Sequence, residues 1–541
     1  MADITKDWQD YETGKNYNNL TNFDKTVKGN WEFYIGNQWH NLETKSNLPK
    51  PVFNILKRIL TFFVASLTAS AKTINISAVD IMLDDSDPTD NTNVIGITNT
   101  TIKNLLDKMK FDHKRREALT NAGVAGITPV HFFWDRSKKP YGSGLGVYDN
   151  VQGEIDCELL DPRNVFFMNP SQHDAQKQPR IIIYGKDTVE NLKAEAKKNG
   201  VQDIDLIVSD DDEEKMSGDY AKAGYIITYS KDKNGQILAS KSCRDVYIYK
   251  DVKTGLNRYP VAILPWEKGN DDYHGRALIT GILPNQIFIN RMFAMVMRHL
   301  MFSSFPKAVY NKNMIPQWNN EIGEAIAINA PLSEGFNIRN VAGYISPETM
   351  SADIINCIEL AMQYTKETLG ISDASLGNIN PTNTSAIIAV QKSSAIPLEN
   401  ISGNEDEFYE EVALILLDFI GTYYGVRPVV VGDDEVTTLY DFDFSILKDL
   451  GLNVKIQSGE STYWSEIAQT QTLDNLLSRG VLDVIDYLER VPAELIPEKD
   501  ALIEKIKSKQ EQEAMMQQAM AQPTVNNEEL ISNDMGSFNM Q

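Results

Sequence analysis

The stretch from Arg276 to Gly425 constrains this chain most, because it reads as two long helices joined by a folded excursion. Helical spacing runs from Asn285 to Phe302, an irregular segment from Ser303 to Ile345, and a second helix from Pro347 to Leu369. A break rich in Gly, Asn, Pro and Thr (Gly370 to Thr384) follows, and a long helical region then continues to Tyr424. The first helix is predicted to open after Pro284, whose missing N–H has no partner in a first turn. Its face carries Ile287, Arg291, Ala294, Met295 and Arg298, with Phe288, Met292 and Val296 beside it. In the second helix Ser346 reads as N-cap, Pro347 as the first residue and Gly370 as the stop. Ile354, Ile355, Ile358, Ala361, Met362 and Leu369 keep its helical period. At ~1.5 Å per residue these helices run roughly 27 to 35 Å. Two antiparallel rods, with an insert at one end and a break at the other, would serve as a stave.

The bulk numbers exclude several function classes. A chain of 541 residues accommodates two to four domains or one long multi-segment subunit. Its apolar fraction of 42% and charged fraction of 23% are those of an ordinary folded protein. The formal net charge of −23 argues against tight nucleic-acid binding, in which Lys and Arg displace counterions. The same charge suits a surface past which DNA slides, since repulsion prevents sticking. Cys157, Cys243 and Cys357 are scattered, without a CxxC, so neither a disulfide framework nor a paired-cysteine zinc site is expected. Met1 to Asp10 is polar and acidic, unlike a signal peptide, and no window of ~18 residues is apolar and uncharged. A protein made in the cytosol, with no membrane partner, is the expectation.

Before the helical block, the chain reads as α+β. Residues 1 to 30 are polar and suggest a loosely held arm or short helix. Trp31, Phe33, Tyr34 and Trp39 then cluster around a turn at Gly36-Asn37 and read as core, since stacking on nucleic acid would need interleaved Arg and Lys. Pro49 and Pro51 bracket an extended link. An amphipathic helix follows from Asn54 to Ala71, then a strand from Thr73 to Val79 and an acidic loop from Asp84 to Asp90. That loop lacks the glycine and the terminal glutamate of a calcium site. A helix from Asn93 to Ala122 leads to a hairpin of Pro129–Asp135 with Gly146–Tyr148, tipped by Lys138 to Gly144. Ile155–Leu160 and Ile181–Tyr184 read as strands, separated by a turn at Asp161-Pro162-Arg163. After the acidic, exposed stretch Asp203 to Tyr220, three strands (Tyr225–Ser230, Gln236–Ser240, Asp245–Lys250) alternate as an antiparallel meander, with Asn234-Gly235 as its first tight turn.

Inside the helical block, Ser303 to Ile345 looks like a small α/β insert with strand-like runs Lys307–Asn311 and Glu324–Asn329 and a turn holding Trp318. Past the break, Thr384 to Gln391 resumes a helix, Pro397 kinks it, and Glu405, Asp406 and Glu407 sit where a helix N-terminus favours acid. Val412 to Leu417 is apolar all round and therefore buried. Val429–Val431 and the strand-rich Thr437–Ile456 are expected to return to the first α+β block, because isolated strands are not stable. Thr462 to Lys509 is helical again, and Gln510 to Gln541, rich in Gln, Met and Asn, is expected to be disordered.

Catalytic signatures do not appear. The sequence holds no Gly-x-x-x-x-Gly-Lys-Ser/Thr loop, no His-Glu-x-x-His and no Gly-x-Ser-x-Gly elbow. The histidines (40, 113, 131, 173, 274, 299) show no ligand spacing. No enzyme, metal or cofactor is expected, and His274 reads as a packed turn residue.

Several segments carry a resemblance. Trp31-Glu32-Phe33-Tyr34-Ile35-Gly36-Asn37-Gln38-Trp39, Pro49 to Asn54, Pro260-Val261-Ala262, Trp266-Glu267, Tyr273 to Ile279, Pro284 to Asn290, Ser372 to Asn378, Asn383 to Ile387 and Gln391 resemble, in this order, segments of tailed-bacteriophage portal proteins. The resemblance implies a portal-type α+β subunit with a mixed wing (31–268, closed by 426–460, with the kinked helix 385–425). It further implies antiparallel stem helices (269–302 and 346–369), a small α/β clip (303–345), a tunnel loop (370–384) and a helical crown (461–509), between an arm (1–30) and a tail (510–541). Such subunits form a ring, typically of twelve copies, at one capsid vertex, through which double-stranded DNA is packaged, retained and ejected. The implied partners are other copies of the chain, DNA without sequence preference, the terminase large subunit, a head–tail adaptor, and the major capsid and scaffolding proteins. Residue by residue, the tunnel loop would present Leu376, Asn378, Ile379, Asn380, Thr382, Asn383 and Thr384. The clip would offer Asn311, Lys312, Asn313, Gln317 and Trp318 to terminase or connector, and the stem would use Arg291, Arg298, Ile354 and Ile358. Between Gly370 and Thr384 only Asp373 is charged, as suits a loop that neither grips nor repels phosphate. The alternatives are a channel-less scaffold or adaptor of the head–tail junction, and a hydrolase whose pocket the sequence does not announce.

Overall fold

The polar N-terminal segment forms two helices, α1 (Ala2–Leu20) and α2 (Phe23–Ile35), where the sequence suggested a loosely held arm or short helix. The computed structural model describes residues 2–40, 48–78, 88–139, 151–210, 221–304, 307–319, 321, 325–329, 337–345, 350–371, 396–431, 438–448, 450–458, 473–491, 499, 502–503 and 505–507. Two units are present, one of residues 1–68 and 72–458, the other of 69–71 and 459–541.

In the larger unit, α3 (Ile55–Thr68) buries Leu56, Ile59, Leu60, Phe63, Val64 and Leu67 on one face. β1 (Lys72–Ala78) follows, and the expected single helix 93–122 is two: α4 (Pro88–Lys108) and α5 (Phe111–Ala125). The break falls at Lys110, whose φ of 52° lies in the left-handed region, outside helical geometry. β2 (Ile127–Asp135) pairs with β3 (Glu154–Leu159), and its expected partner Gly146–Tyr148 lies outside the described residues. Beyond β4 (Val165–Phe167), β5 (Arg180–Thr188) and α6 (Val189–Lys198) comes the meander β6 (Lys222–Lys231), β7 (Ile237–Ser242) and β8 (Tyr247–Lys253), as the alternation predicts. These strands make an antiparallel sheet in the order β4-β5-β6-β7-β8, while β9 (Val261–Pro265) joins β2 and β3. The calcium-like Asp85-x-Asp87 and the acids Asp211 to Glu214 are outside the described residues.

The helical block begins with α7 (Leu278–Ser304), earlier than expected, with Pro284 inside the helix. Pro284 therefore removes one internal backbone bond instead of opening the helix. β10 (Lys307–Tyr310) pairs with β11 (Ala342–Ile345), and Ala325 to Asn329 is not strand. α8 (Ala352–Thr368) is capped by Ser351, which accepts from the Asp353 N–H, so the cap is not Ser346. Pro397 lies in a 3-10 turn (Ile396–Leu398) that precedes α9 (Glu399–Tyr423) and does not kink it. β12 (Val426–Val431) pairs with β13 (Thr438–Asp443), and β14 (Leu452–Ser458) pairs along its length with β1. The C-terminal strands thus return to the first block, as the instability of isolated strands requires.

α9 is the axis of the core. Val412, Ala413, Ile415, Leu416, Leu417, Phe419 and Ile420 are buried on it, which accounts for the run that is apolar all round. Glu405, expected near a helix N-terminus, is instead fully buried in its second turn. Arg115 Nε of α5 meets it at 2.6 Å, and Lys72 Nζ of β1 lies 3.9 Å away. The Arg115 guanidinium also donates to the Leu67 carbonyl of α3 at 2.9 Å, and Lys72 to Asp406 at 2.5 Å. Lower on α9, Asp418 accepts from the backbone N–H groups of Asn257 and Arg258 at 2.7 and 2.9 Å. Burial nevertheless pushes its carboxyl pKa up. His274 is buried as read from the sequence: Phe23 stacks on it at 3.7 Å and its Nδ1 lies 2.7 Å from Asp272.

In the smaller unit, Val484–Arg490 is a short helix capped by Asp483, and Tyr487 donates to Asp474 at 2.6 Å. Residues 461–472 and 492–498 of the expected crown, and all of 510–541, are outside the described residues. Among the described residues no helix is long and apolar enough to cross a membrane, and no grouping of His, Cys, Asp or Glu could hold a metal ion.

Replacing Glu405 with Leu takes the carboxylate from the buried Arg115 guanidinium, while Lys72 keeps Asp406. The expected cost is about 3–5 kcal/mol, read as a lower urea midpoint at unchanged slope.

Candidate functional site

α7 and α8 pack side by side, and α7 is rooted in the body by amides. Gln286 and Asn290, one turn apart on α7, are 1% and 2% exposed. Gln286 Oε1 accepts from the N–H groups of Ile55 and Leu56 at 3.0 and 3.3 Å, capping the start of α3. Its Nε2 donates to the Phe53 carbonyl at 2.6 Å and to Asn290 Oδ1 at 3.1 Å. Asn290 Nδ2 donates in turn to Gln38 at 2.6 Å. Ile279, Ile282, Ile289 and Ala294 complete the buried stripe, in place of the face through Ile287 and Arg291 that periodicity suggested. The sequence missed this root because a buried Gln-x-x-x-Asn pair reads as a polar face until its partners are known.

Past Ala294 the helix leaves its cover while staying apolar. Phe288, Met295 and Phe302 recur every seven residues on one face, and Met297, Leu300 and Met301 lie about 170° round the axis at ~100° per residue. All six are between 42% and 55% exposed. α8 adds Ile355, Leu360 and Tyr364, also exposed, while Ile358 is buried and Ile354 half-buried. Of the stem residues singled out from sequence, Arg291 is exposed, and Arg298 is half-buried with its guanidinium 5.4 Å above the Phe302 ring. Cys357 is exposed on α8.

At the far end of α7 the β10–β11 ribbon carries an aromatic stack. Trp318 lies 5.1 Å from Tyr310 and 6.1 Å from Tyr344, so it holds the ribbon together and is half-buried. Asn311, Lys312, Asn313 and Gln317 are exposed on the turn after β10, where the Asn311 side chain accepts from the Asn313 N–H at 3.0 Å. The structure thus brings the five clip residues into one small feature and assigns Trp318 a packing role.

Leu376, Asn378, Ile379, Asn380, Thr382, Asn383 and Thr384 lie outside the described residues, as does the helix expected from Thr384 to Gln391. The residues that flank 372–395 are described, and they meet. Gly370, at φ 68°, approaches Pro397 so closely that a Cβ there would sit 2.4 Å from the proline ring. Ile371 and Leu398 are buried beside this junction. The chain on either side of 372–395 is therefore held at one place.

A model of the phage P22-like portal protein family matches residues 161–531, more than two thirds of the chain. The chain belongs to the phage P22-like portal protein family. A search of curated proteins finds no match. The family match spans α7, the β10–β11 ribbon, α8 and α9, so the paired helices and their insert belong to a portal protein of tailed phages. The segments resembling portals at Trp31–Trp39 and Pro49–Asn54 precede the matched span.

Gln286→Ala leaves the Ile55 and Leu56 N–H groups and the Phe53 carbonyl without this partner. A loss of about 3 kcal/mol is expected, whereas Arg291→Ala, on the exposed side, should stay within about 0.5 kcal/mol; urea unfolding of both variants measures the contrast.

Proposed function

We propose that this portal chain works as one stave of a closed ring, twelve copies in the family's usual arrangement, around a channel for double-stranded DNA. The reading rests on the two opposed apolar faces at the end of α7. A helix that is apolar on both flanks is stable only when both are covered. A twofold dimer buries one self-complementary patch, whereas a head-to-tail ring buries two different patches on every copy. Opposed faces on a single helix fit the second arrangement.

In this reading α7 and α8 are the stem and β10–β11 with its aromatic stack is the clip, which meets the terminase large subunit during packaging and a head–tail adaptor afterwards. Residues 31–268 with 426–460 form the wing, 461–509 the crown, and capsid and scaffolding proteins hold the ring at one vertex of the virion. Residues 370–384, which begin where Gly370 meets Pro397, supply the tunnel loop. The net charge of −23 keeps phosphate from adhering as the duplex moves. No catalytic step is assigned to the chain.

Met295→Glu and Leu300→Glu, one on each face, should each abolish rings in negative-stain images and leave folded single subunits in sedimentation velocity. Wild-type protein that sediments as a single subunit or a twofold dimer at every concentration would overturn the ring. Deleting Leu376 to Pro381 is expected to leave rings intact while packaged DNA in infected cells falls to background. Normal phage yield from that deletion would remove the loop from the mechanism.

A further inference from the structure

α1 is attached differently from the rest of the body. Its inward face, Ile4, Asp7, Tyr11, Gly14 and Asn18, keeps helical spacing and sets the polar Asp7 and Asn18 among apolar residues. Asn18 has no exposed surface, and its Oδ1 has no hydrogen-bond partner. Charged pairs hold the helix as well. Arg180 on β5 pairs with Asp7 and Asp10 together, and Lys250 on β8 meets Asp3 at 2.6 Å. Tyr247 donates to Asp7 at 2.9 Å, and the Trp8 indole donates to the Cys243 carbonyl at 3.1 Å. The apolar part of the seat is aromatic: Tyr11 lies edge-on to Phe166 at 5.4 Å and stacked with Tyr184 at 5.1 Å, packed with Trp8 and buried Ile182 and Ile226, and Tyr17 near the end of α1 stacks 6.4 Å from Tyr273 and 5.9 Å from His274. Two residues, Thr21 and Asn22, turn the chain from α1 into α2, and Asn22 is left-handed at φ 56°. That conformation costs Asn less than most residues with a side chain, which suits it to a hinge.

We propose that α1 is a charge-latched strap, which lifts from the five-stranded sheet as a unit about Asn22 while the sheet beneath stays folded, and whose lifting is governed by ionic strength. Arg180 is the clasp, because one guanidinium holds two carboxylates that stand a helical turn apart. Lifting returns Asn18 to water and lets Asn22 relax to helical geometry, so that α1 and α2 run on as one helix. It also uncovers Phe166, Ile182, Tyr184 and Ile226. Salt acts most on the exposed Asp3–Lys250 pair and less on Arg180, whose side chain is 23% exposed. An element held this way belongs to the low-stability end of the molecule and opens below the free energy of global unfolding. The inference concerns the single chain and stands apart from ring formation.

Hydrogen–deuterium exchange on the full chain, followed by mass spectrometry on peptides from α1 and from β5–β6, tests it. At low salt α1 should exchange before β5–β6. Raising NaCl to about 0.5 M should speed α1 several-fold and leave β5–β6 unchanged. Arg180→Met should speed α1 roughly tenfold or more by removing two charge-assisted pairs. Asn22→Val should act in the same direction from the hinge, because a β-branched side chain resists positive φ. The wild-type salt series carries the test if either variant fails to fold. Exchange of α1 only together with β5–β6, or at a rate indifferent to salt, overturns the strap.

Discussion

The ion cluster around Glu405 holds together parts of the chain that no local rule would join. The carboxylate belongs to α9, Arg115 to α5, Lys72 to β1, and the Arg115 guanidinium continues to the carbonyl at the end of α3. Taking three charges out of water is expensive, and the cost is offset only where the groups close on one another with good geometry. The cluster therefore acts as a register pin: any shift of α9 along its axis separates the charges and leaves them buried. With α9 fixed, its apolar segment Val412 to Leu417 completes the core, and Asp418 fixes the turn at Asn257 and Arg258.

Buried polar partners root α7 as well. α7 crosses from a fully satisfied amide network at Gln286 and Asn290 to a stretch in which large apolar side chains stand in water. A strongly anchored first half lets the second half present Met295, Leu300 and Met301 at fixed positions. Three of the six exposed residues on its two faces are methionines, whose unbranched thioether chains fill irregular gaps and tolerate small changes in a neighbour's position. Gly370 against Pro397 likewise holds the chain before and after 372–395 at one point.

Elements with a strong local signal were legible in the sequence. The β6–β7–β8 meander followed from alternation and Asn234-Gly235, the burial of α9 from a run without a polar face, and the pairing of the last strands with the first block from the instability of short sheets. Boundaries were less legible. Ser346-Pro347 looked like a helix start, yet the cap is Ser351, because Ser, Asp and Pro offer several competing starts in one short stretch. Pro284 looked like a first residue, but burial of Ile279 and Ile282 draws the helix back through it. Lys110 gave no sign of its left-handed turn, since no Gly or Asn marks the position.

Sequence alone determined the class of the molecule: an acidic α+β chain with a helix–insert–helix block and segments ordered as in portal proteins. Those properties rest on periodicity, composition and short motifs, which are local. Only the tertiary structure decided that the polar N-terminus is a docked helix, that Glu405 is a buried counter-ion and that Gln286 caps a distant helix. In each case the partner lies far away along the chain, so the meaning of the polar side chain is set by what folding brings against it.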